Sequence, residues 1–317
     1  MSELIKVSTV KKNSFELEID YLLTFRCNYD CSYCISHDVN HPFLKRSSNE
    51  IIEAFDFIFK QYSNKKIKLR ILGGEPFVYK HFINLVNELS NNDFLQIIII
   101  TNLSVAEKTL EKLKESKNIT ISASYHPEYS NNKDFVTKIK YLQNKGFKTY
   151  CSVSIHPNEK YLKNSIYVLE NITENVYPKF LSIQPKSNIN IYGKSYEYSK
   201  MIKDTVKKYD NSESIISDLK YEFSDNTSKN FSMSDVMVNN RDNFKGLLCK
   251  AGHDKLHINE EGDIFPAACF LNSRVILGNM FKKTFKKPIS YVTCPFTSCK
   301  CTTDLTLTKF KNDKLVA

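Results

Sequence analysis

The stretch TFRCNYDCSYC, residues 24–34, places three cysteines within eight positions. Cys27, Cys31 and Cys34 follow the spacing C-x3-C-x2-C, and no fourth cysteine lies nearby. A structural zinc site takes four protein ligands, and a disulfide framework takes an even number of cysteines. Three thiolates around an iron–sulfur cluster would instead leave one iron without a protein ligand. The spacing therefore indicates a site for chemistry rather than structural support.

The 317-residue chain has the composition of an ordinary globular protein, with 41% hydrophobic and 25% charged residues. Its longest apolar run, FLQIIII (94–100), is as short as a strand, so no membrane span is predicted. The N-terminus MSELIKVSTVKK lacks the apolar segment of a signal peptide, and we expect a cytoplasmic protein. In that reducing compartment, clustered cysteines indicate metal binding or catalysis rather than disulfides.

The formal net charge of +10 comes from lysines scattered along the chain. No concentrated basic block or basic–aromatic pattern is present, so the sequence favours an anionic small substrate over a nucleic-acid partner.

Strand-like and helix-like segments alternate between residues 16 and 186. Strands are predicted at 15–25, 66–72, 95–101, 118–124, 147–155 and 177–185. Helices are predicted at 47–62, 80–90, 104–116, 131–144 and 159–171. This alternation predicts a parallel sheet, because each crossover needs a connection of helical length. The fold class is therefore α/β, with either a doubly wound sheet or a partial barrel.

The pattern divides the chain into three parts. Residues 1–190 are predicted to form the core, and residues 191–245 a polar linker with a helix at 195–210. Residues 246–317 are predicted to form a small module that contains five of the nine cysteines.

Polar residues follow every predicted strand. These are the cysteine loop, GGEP (73–76), Thr101–Asn102, SYHPE (124–128), SIHP (154–157) and QPK (184–186). Parallel strands end at one rim, and ligands of barrels and open α/β sheets bind there. The candidate site is therefore expected at the carboxyl ends of the strands.

The cysteine loop after a first strand, with GGEP after the second, resembles the radical SAM superfamily over residues 16–186. The resemblance implies a partial (β/α)6 TIM-type barrel in which Cys27, Cys31 and Cys34 hold a [4Fe–4S] cluster. S-adenosylmethionine (SAM) would chelate the open iron. An electron from a reductant such as flavodoxin or ferredoxin would then release a 5′-deoxyadenosyl radical, which removes hydrogen from the substrate. The alternative is a zinc site completed by His37 or His41, which leaves GGEP unexplained.

The resemblance also assigns residues to SAM. Gly73 and Gly74 would let backbone groups approach its amino group, and Glu75 would add a carboxylate there. Tyr33 occupies the aromatic position near adenine in the family. The remaining candidates lie at strand ends: Pro76, Asn102, Ser122, Ser124 and Ser154. For the asparagine and the serines, satisfying the strand ends is an equal alternative.

His126 and Glu128 are the most unusual polar residues at the predicted rim. A histidine moves protons near neutral pH, and a nearby carboxylate can orient it or bind a substrate cation. We predict that both face the substrate, as do Gln184 and Lys186. The alternative for His126 is a surface position in a proline-locked loop. Cys151 shares a strand face with apolar residues and is predicted to lie in the core.

The second cysteine group resembles the C-terminal module of SPASM and twitch radical SAM enzymes, which carries auxiliary clusters. The resemblance rests on CKAGHDKLHINEEGDIFPAACF (249–270), LGNMF (277–281) and CPFTSCKC (294–301). Six residues separate Gly262 from Cys269, where the family usually has four, and the full seven-cysteine set is incomplete. One auxiliary site is therefore expected. Its ligands would be Cys249, Cys269, Cys294 and either Cys299 or Cys301, around a second [4Fe–4S] cluster or, alternatively, zinc.

The sequence thus predicts a radical SAM enzyme, either a lyase or an oxidoreductase. The expected substrate is a small polar molecule: a sugar, an aminocyclitol, a nucleoside or a modified purine-like base such as queuine. The alternative is epimerisation or cross-linking of a ribosomal peptide. Only 26 residues precede Cys27, too few for the leader-binding domain of many peptide modifiers, which favours the small molecule. A simple electron carrier would not need a six-unit barrel with a cofactor rim.

Overall fold

The computed structural model describes residues 2–10, 14–34, 38–62, 65–181, 196–209, 218–271, 275–299 and 301–311. Within these ranges the strands, in chain order, are β1 (Leu4–Thr9), β2 (Leu17–Thr24), β3 (Ile67–Gly73), β4 (Leu95–Thr101), β5 (Ile119–Tyr125), β6 (Lys148–Ile155), β7 (Val176–Phe180), β8 (Leu219–Phe223), β9 (Ser228–Phe231), β10 (Leu248–Cys249), β11 (Lys255–Ile258), β12 (Asp263–Phe265), β13 (Gly278–Asn279), β14 (Val292–Thr293) and β15 (Lys309–Phe310). The helices are α1 (Ser48–Lys60), α2 (Phe82–Leu89), α3 (Glu107–Leu110), α4 (Asn132–Asn144), α5 (Leu162–Asn171), α6 (Lys200–Lys207), α7 (Met233–Val238) and α8 (Thr302–Leu305).

Strands β2 to β7 form a continuous parallel sheet in chain order. A helix lies in each crossover, as the alternation of strand and helix patterns predicts. This arrangement confirms the α/β class and the partial barrel. All six strands point their carboxyl ends to one rim, where the cysteine loop follows β2.

The predicted helix at 104–116 is much shorter than expected, because only α3 forms there. The side chain of Asn87 binds the carbonyl of Lys112 and the N–H of Lys114. These contacts use backbone groups that a longer helix would need, and the chain turns instead.

The core lies between the barrel sheet and its helices. Leu17, Ile19 and Tyr21 of β2 are fully buried against the side chains of α1. The alternate residues of the same strand, including Glu18 and Asp20, occupy the opposite face. Cys151 is buried in the apolar cluster, which confirms that it is a core residue.

The C-terminal module is joined to the barrel through strands. β11 pairs in parallel with β2, and the antiparallel strands β12 and β13 extend the barrel sheet to nine strands. Gly262 forms the turn before β12 with a φ of +85°, and a Cβ there would come within 2.3 Å of the Phe281 ring. The module therefore lies directly beside the first barrel strand.

A second sheet combines strands from segments that the sequence assigned to different parts of the chain. Its six strands run in the order β14–β10–β15–β1–β8–β9. It includes β1 from the N-terminus and the hairpin β8–β9 from the region predicted to be a linker. Residues 4–9 and 219–231 therefore belong with the cysteine module rather than with the core or a linker. Among the described residues, no helix is both long and apolar enough to cross a bilayer.

Candidate active site

The cysteine loop leaves the end of β2 and carries Cys27, Cys31 and Cys34 at the rim. Cys31 is buried, and burial raises the pKa of its thiol to about 12. Burial also raises the pKa of Cys27, whose sulfur accepts a hydrogen bond from the Tyr29 N–H at 3.4 Å. Buried thiols of this kind become thiolates when a metal replaces the proton, because thiolates ligate iron. The loop therefore suits an iron–sulfur cluster.

The GGEP turn packs directly against the backbone that leads into the cysteine loop. The N–H of Gly74 donates to the Thr24 carbonyl at 2.7 Å, and the N–H of Glu75 donates to the Arg26 carbonyl at 2.9 Å. A Cβ on Gly73 or on Gly74 would lie 2.2 Å from a carbonyl oxygen of this segment. The two glycines are thus required for close packing of β3 against the loop, besides the predicted approach to SAM.

We expect Gly74→Ala to destabilise the protein by about 1–3 kcal/mol, because its Cβ would collide with the Arg26 carbonyl. The displaced cysteine loop should also retain less iron after reconstitution. Urea unfolding and iron analysis measure both effects. Gly146→Ala is the control for backbone strain without a collision: its φ of +84° should cost about 1–2 kcal/mol, but no atom lies within 4 Å of the added Cβ, so it should keep its iron. An alanine at Gly74 that keeps full stability and iron would contradict this account.

Glu75, which the resemblance places near the SAM amino group, has a buried carboxylate with three protein partners. Its carboxylate is 1% exposed and accepts hydrogen bonds from the N–H of Phe77 at 3.1 Å, Thr101 Oγ1 at 2.8 Å and the Asn102 N–H at 2.7 Å. These bonds join the ends of β3 and β4. Pro76 is buried in the same turn. The Glu75 carboxylate therefore stabilises the rim, and its contact with SAM stays a prediction.

Burial raises the pKa of Glu75 from 4.5 to about 7, against the three hydrogen bonds that lower it. Between these two values the folded state binds more protons than the unfolded state. The free energy of unfolding should therefore fall, by at most about 3 kcal/mol, as the pH rises through this interval. Urea unfolding at several pH values should show this fall in the wild type and its absence in Glu75→Gln. Parallel pH curves for the two proteins would contradict the assignment.

His126 and Glu128 contact the cysteine loop. The two oxygens of Glu128 accept hydrogen bonds from the backbone N–H and the hydroxyl of Ser32, at 2.8 and 2.6 Å. His126 Nδ1 lies 3.0 Å from the Tyr33 hydroxyl, and the two rings stack with centroids 5.9 Å apart. Their contacts position the loop between the second and third cysteines, and the prediction that both residues face the substrate stays a prediction.

His156 is a site residue that the sequence did not single out. Its Nε2 lies 3.2 Å from Glu128 Oε1, and its ring also packs near Tyr33. Burial lowers the pKa of His156, although the Glu128 carboxylate opposes this effect. The residue stands in SIHP, at the end of the fifth barrel strand. This position after a predicted strand is the feature of the sequence that could have identified His156 as a site residue.

Several of the predicted polar residues have contacts near the strand ends. The Asn102 amide donates to Asn28 Oδ1 at 3.0 Å and lies 3.9 Å from the Cys27 sulfur. Ser124 Oγ lies 3.0 Å from Ser152 Oγ, and Ser154 is hydrogen-bonded to the Tyr33 side chain. Ser122 lies on the same strand face as Ser124. Gln184, Lys186 and His37 fall outside the described residues.

Lys179 is a cation at the rim that the sequence analysis did not select. It pairs in register with Ser154 on the last barrel strand. Its side chain is exposed, and no carboxylate among the described residues forms an ion pair with it. Cys34 of the cysteine loop lies near enough to act electrostatically on this ammonium. An unpaired ammonium therefore lies beside the cysteine loop.

The second cysteine group surrounds a cavity in the C-terminal module. Its lining includes Cys249, Cys269, Cys294 and Cys299, with Asp304 and Lys309. Burial raises the pKa of all four thiols, to about 12 for Cys299. Cys301 lies outside this lining, at the start of α8, with its sulfur 3.2 Å from the Thr303 hydroxyl. The geometry therefore separates four cysteines from the fifth.

A buried ionic network connects the module with the barrel. Lys255 of β11 lies 3.1 Å from Asp20 of β2 and 2.9 Å from Asp304 beside the cysteine cavity. Asp20 also pairs with Arg70 of β3 at 2.5 Å, and Asp304 accepts the N–H of Cys269 at 2.9 Å. Charged side chains of the module and of the barrel therefore neutralise one another in a single buried network.

Comparison with known proteins agrees with this geometry. The Radical SAM superfamily profile matches residues 21–166. A GTP 3′,8-cyclase of Campylobacter fetus subsp. fetus (strain 82-40) is 28% identical over 152 residues, which are 44% of this chain and 46% of that protein. A GTP 3′,8-cyclase of Rhodopseudomonas palustris (strain TIE-1) is 37% identical over 82 residues, 25% of this chain and 23% of that protein. The matches span less than half the length of these relatives.

Solved structures share the fold. Streptococcus suis SuiB bound to precursor peptide SuiA aligns with a TM-score of 0.54 and 19% identity, over 87% of this chain and 66% of that one. Native anSMEcpe with bound AdoMet aligns with a TM-score of 0.54 and 13% identity, over 86% of this chain and 80% of that one. Residues 21–166 thus belong to the radical SAM superfamily. The match implies a [4Fe–4S] cluster and bound SAM at these residues.

Proposed function

We propose that this enzyme oxidises a small polar substrate held at the barrel rim. A second [4Fe–4S] cluster in the C-terminal cavity would accept the electron. When bound at the first site, the cluster and SAM would supply a 5′-deoxyadenosyl radical that takes one hydrogen atom from the substrate. The substrate radical would then give one electron to the second cluster and one proton to solvent. The observation that carries the proposal is that four thiols, Cys249, Cys269, Cys294 and Cys299, line one cavity. Such a twitch-like site gives the reaction an electron acceptor, which favours an oxidoreductase over a redox-neutral lyase.

A cluster and zinc would place the four thiols differently. Zinc draws four sulfur atoms to about 2.3 Å from one point, whereas a cubane separates its ligands over four irons. In the described part of the chain, no three His, Cys, Asp or Glu side chains converge closely enough to hold a single metal ion. Because the first site is expected to hold a [4Fe–4S] cluster, we propose the same kind of cluster for the four thiols of the second.

Each rim residue has a defined task in this proposal. Cys27, Cys31 and Cys34 would hold the first cluster, and Glu128 and His126 would position their loop through Ser32 and Tyr33. Tyr33, the backbone of Gly73 and Gly74, and the strand-end residues Asn102, Ser122, Ser124 and Ser154 are the proposed SAM contacts. These residues bind and orient the cofactor.

The barrel wall next to the last strand favours a polar substrate with an anionic group. Ser152 and Ser124 place hydroxyls there, and the unpaired Lys179 adds a positive charge. Hydroxyls orient a polar ligand, and a lysine binds phosphate or carboxylate as a point charge. The relatives named GTP 3′,8-cyclase make a nucleotide the first substrate to test. Gln184 and Lys186 remain proposed substrate contacts.

Modification of a ribosomal peptide is the second candidate. The fold neighbour SuiB was crystallised with its precursor peptide, and anSMEcpe with a Kp18Cys peptide. At 13–19% identity these likenesses support the fold alone.

The test is the rate of 5′-deoxyadenosine formation from SAM and dithionite by the reconstituted enzyme. The probes are GTP, guanosine, an aminocyclitol and a set of short peptides. We expect a small molecule to raise the substrate-free rate at least about tenfold, a barrier change of about 1.4 kcal/mol. Lys179→Met should weaken the response to a phosphorylated probe, and Lys163→Met, on the exposed side of α5, should not. Stimulation by peptides alone, or by none of the probes, would overturn the small-molecule proposal.

A further inference from the structure

The ammonium of Lys309 is buried in the wall of the C-terminal cysteine cavity. The side chain is 1% exposed, and its Nζ donates hydrogen bonds to the carbonyls of Asp304 at 2.7 Å, Leu305 at 3.0 Å and Leu307 at 2.9 Å. The Phe244 ring lies 5.0 Å away. Among the described residues, no carboxylate forms an ion pair with this ammonium. Its hydrogen bonds are satisfied, but the described part of the chain supplies no counter-ion for its charge.

A buried charge without a counter-ion is strongly unfavourable. The other charged groups around the cavity are compensated. Asp304 pairs with Lys255 at 2.9 Å and accepts the N–H of Cys269. Lys255 pairs in addition with Asp20. Lys309 therefore carries the one uncompensated charge among the described residues that line the cavity.

The charge faces the cysteines directly. Lys309 and Cys249 are register partners on the paired strands β15 and β10. The side chain of Lys309 lines the cavity together with the four thiols. Its positive charge acts on Cys249, Cys294 and Cys299, where it opposes the effect of burial on the thiol pKa. The natural partner of this ammonium is an anion bound among these sulfurs.

We propose that Lys309 is the counter-ion of the auxiliary cluster and raises its reduction potential. This inference rests on the proposed function, because it requires an iron–sulfur cluster in the cavity. Four thiolates around a [4Fe–4S]2+ core carry a net charge of −2, and uptake of one electron makes it −3. A fixed positive charge in a dry site favours the more negative state. Lys309 would thus make the auxiliary cluster a better acceptor for an electron leaving the substrate.

The experiment is a redox titration followed by electron paramagnetic resonance. The parent protein is Cys27→Ala/Cys31→Ala/Cys34→Ala, in which only the auxiliary cluster remains. Lys309→Met and Lys309→Gln should each lower the equilibrium constant for reduction at least tenfold, a shift of about 59 mV for one electron. Lys309→Arg should stay near the parent because it keeps the charge. Lys311→Met is the matched control, because this lysine does not line the cavity and pairs instead with Glu3.

The outcomes separate the two proposals. If the parent binds no iron in the module, or binds zinc, the proposal of an auxiliary cluster is wrong. The role of Lys309 is then wrong as well. If the cluster is present but Lys309→Gln keeps the parent potential, only the role of Lys309 is overturned. Lys309→Gln also decides the question if Lys309→Met does not fold, because glutamine can still donate hydrogen bonds to the carbonyls. An equal shift in Lys311→Met would likewise contradict a specific role of Lys309.

Discussion

Replacing Cys27, Cys31 and Cys34 together by alanine is expected to reduce SAM cleavage to the background rate. The three thiols follow β2 at the rim, and the GGEP turn and Glu128 hold their loop in place. Loss of a single residue that supports a metal ligand typically lowers metal affinity or activity about 10–100-fold, so loss of all three ligands should exceed about 100-fold. The measurement is 5′-deoxyadenosine formed with SAM and dithionite.

Cys151→Ala is the matched control for this variant. Cys151 is buried in the apolar core and contributes no sulfur to the rim or to the second cavity. It should keep its iron and its SAM cleavage. Equal activity in the triple variant and the wild type would contradict the assignment of the cysteine loop.

Lys255→Met is expected to destabilise the protein by about 3–5 kcal/mol, because it leaves two buried carboxylates uncompensated. The ammonium lies 3.1 Å from Asp20 and 2.9 Å from Asp304, and all three side chains are almost completely buried. Burial opposes the ionisation of Asp20, but Lys255 and Arg70 outweigh it and lower the Asp20 pKa to about 2. Without Lys255 this balance is lost. Urea unfolding measures the change in the free energy of unfolding.

Two variants test whether the loss of the Lys255 charge is the cause of the destabilisation. Lys255→Met/Asp304→Asn should recover part of the lost stability, because one of the two uncompensated carboxylates is removed. Lys250→Met removes a partly exposed lysine that pairs with Asp254 at 3.4 Å, and it should change stability by less than about 1 kcal/mol. If the double variant is no more stable than Lys255→Met, the ionic network does not join the module to the barrel in the way described.

The barrel could be predicted from sequence because its strands and helices follow one another along the chain. FELEIDYLLTF, KIKLRIL and LQIIIIT each lie in a strand of the observed parallel sheet. The second sheet could not be predicted in this way. β1 pairs with β8 and with β15, which are separated from it by more than two hundred residues. The pairing of such distant segments leaves no local pattern to detect.

In the candidate active site, too, only residues that belong to local motifs could be predicted from the sequence. The cysteine spacing and GGEP identify the rim because they are local motifs. The partners of Glu128 lie in two other loops, at Ser32 and His156, and no spacing connects them. Lysine is ordinarily a surface residue, so nothing in the sequence distinguishes the buried Lys255 and Lys309 from their exposed neighbours. These roles depend on tertiary packing and become visible only in the structure.

The most direct test of the account is iron, sulfide and zinc per chain in anaerobically reconstituted protein. Wild type is compared with Cys27→Ala/Cys31→Ala/Cys34→Ala. The account predicts about eight irons in the wild type and about four in the variant, without zinc, since each [4Fe–4S] cluster holds four irons. About four irons and one zinc, falling to zinc alone, would make the C-terminal site structural and remove the proposed electron acceptor. No iron in either protein would contradict the assignment of both cysteine sites.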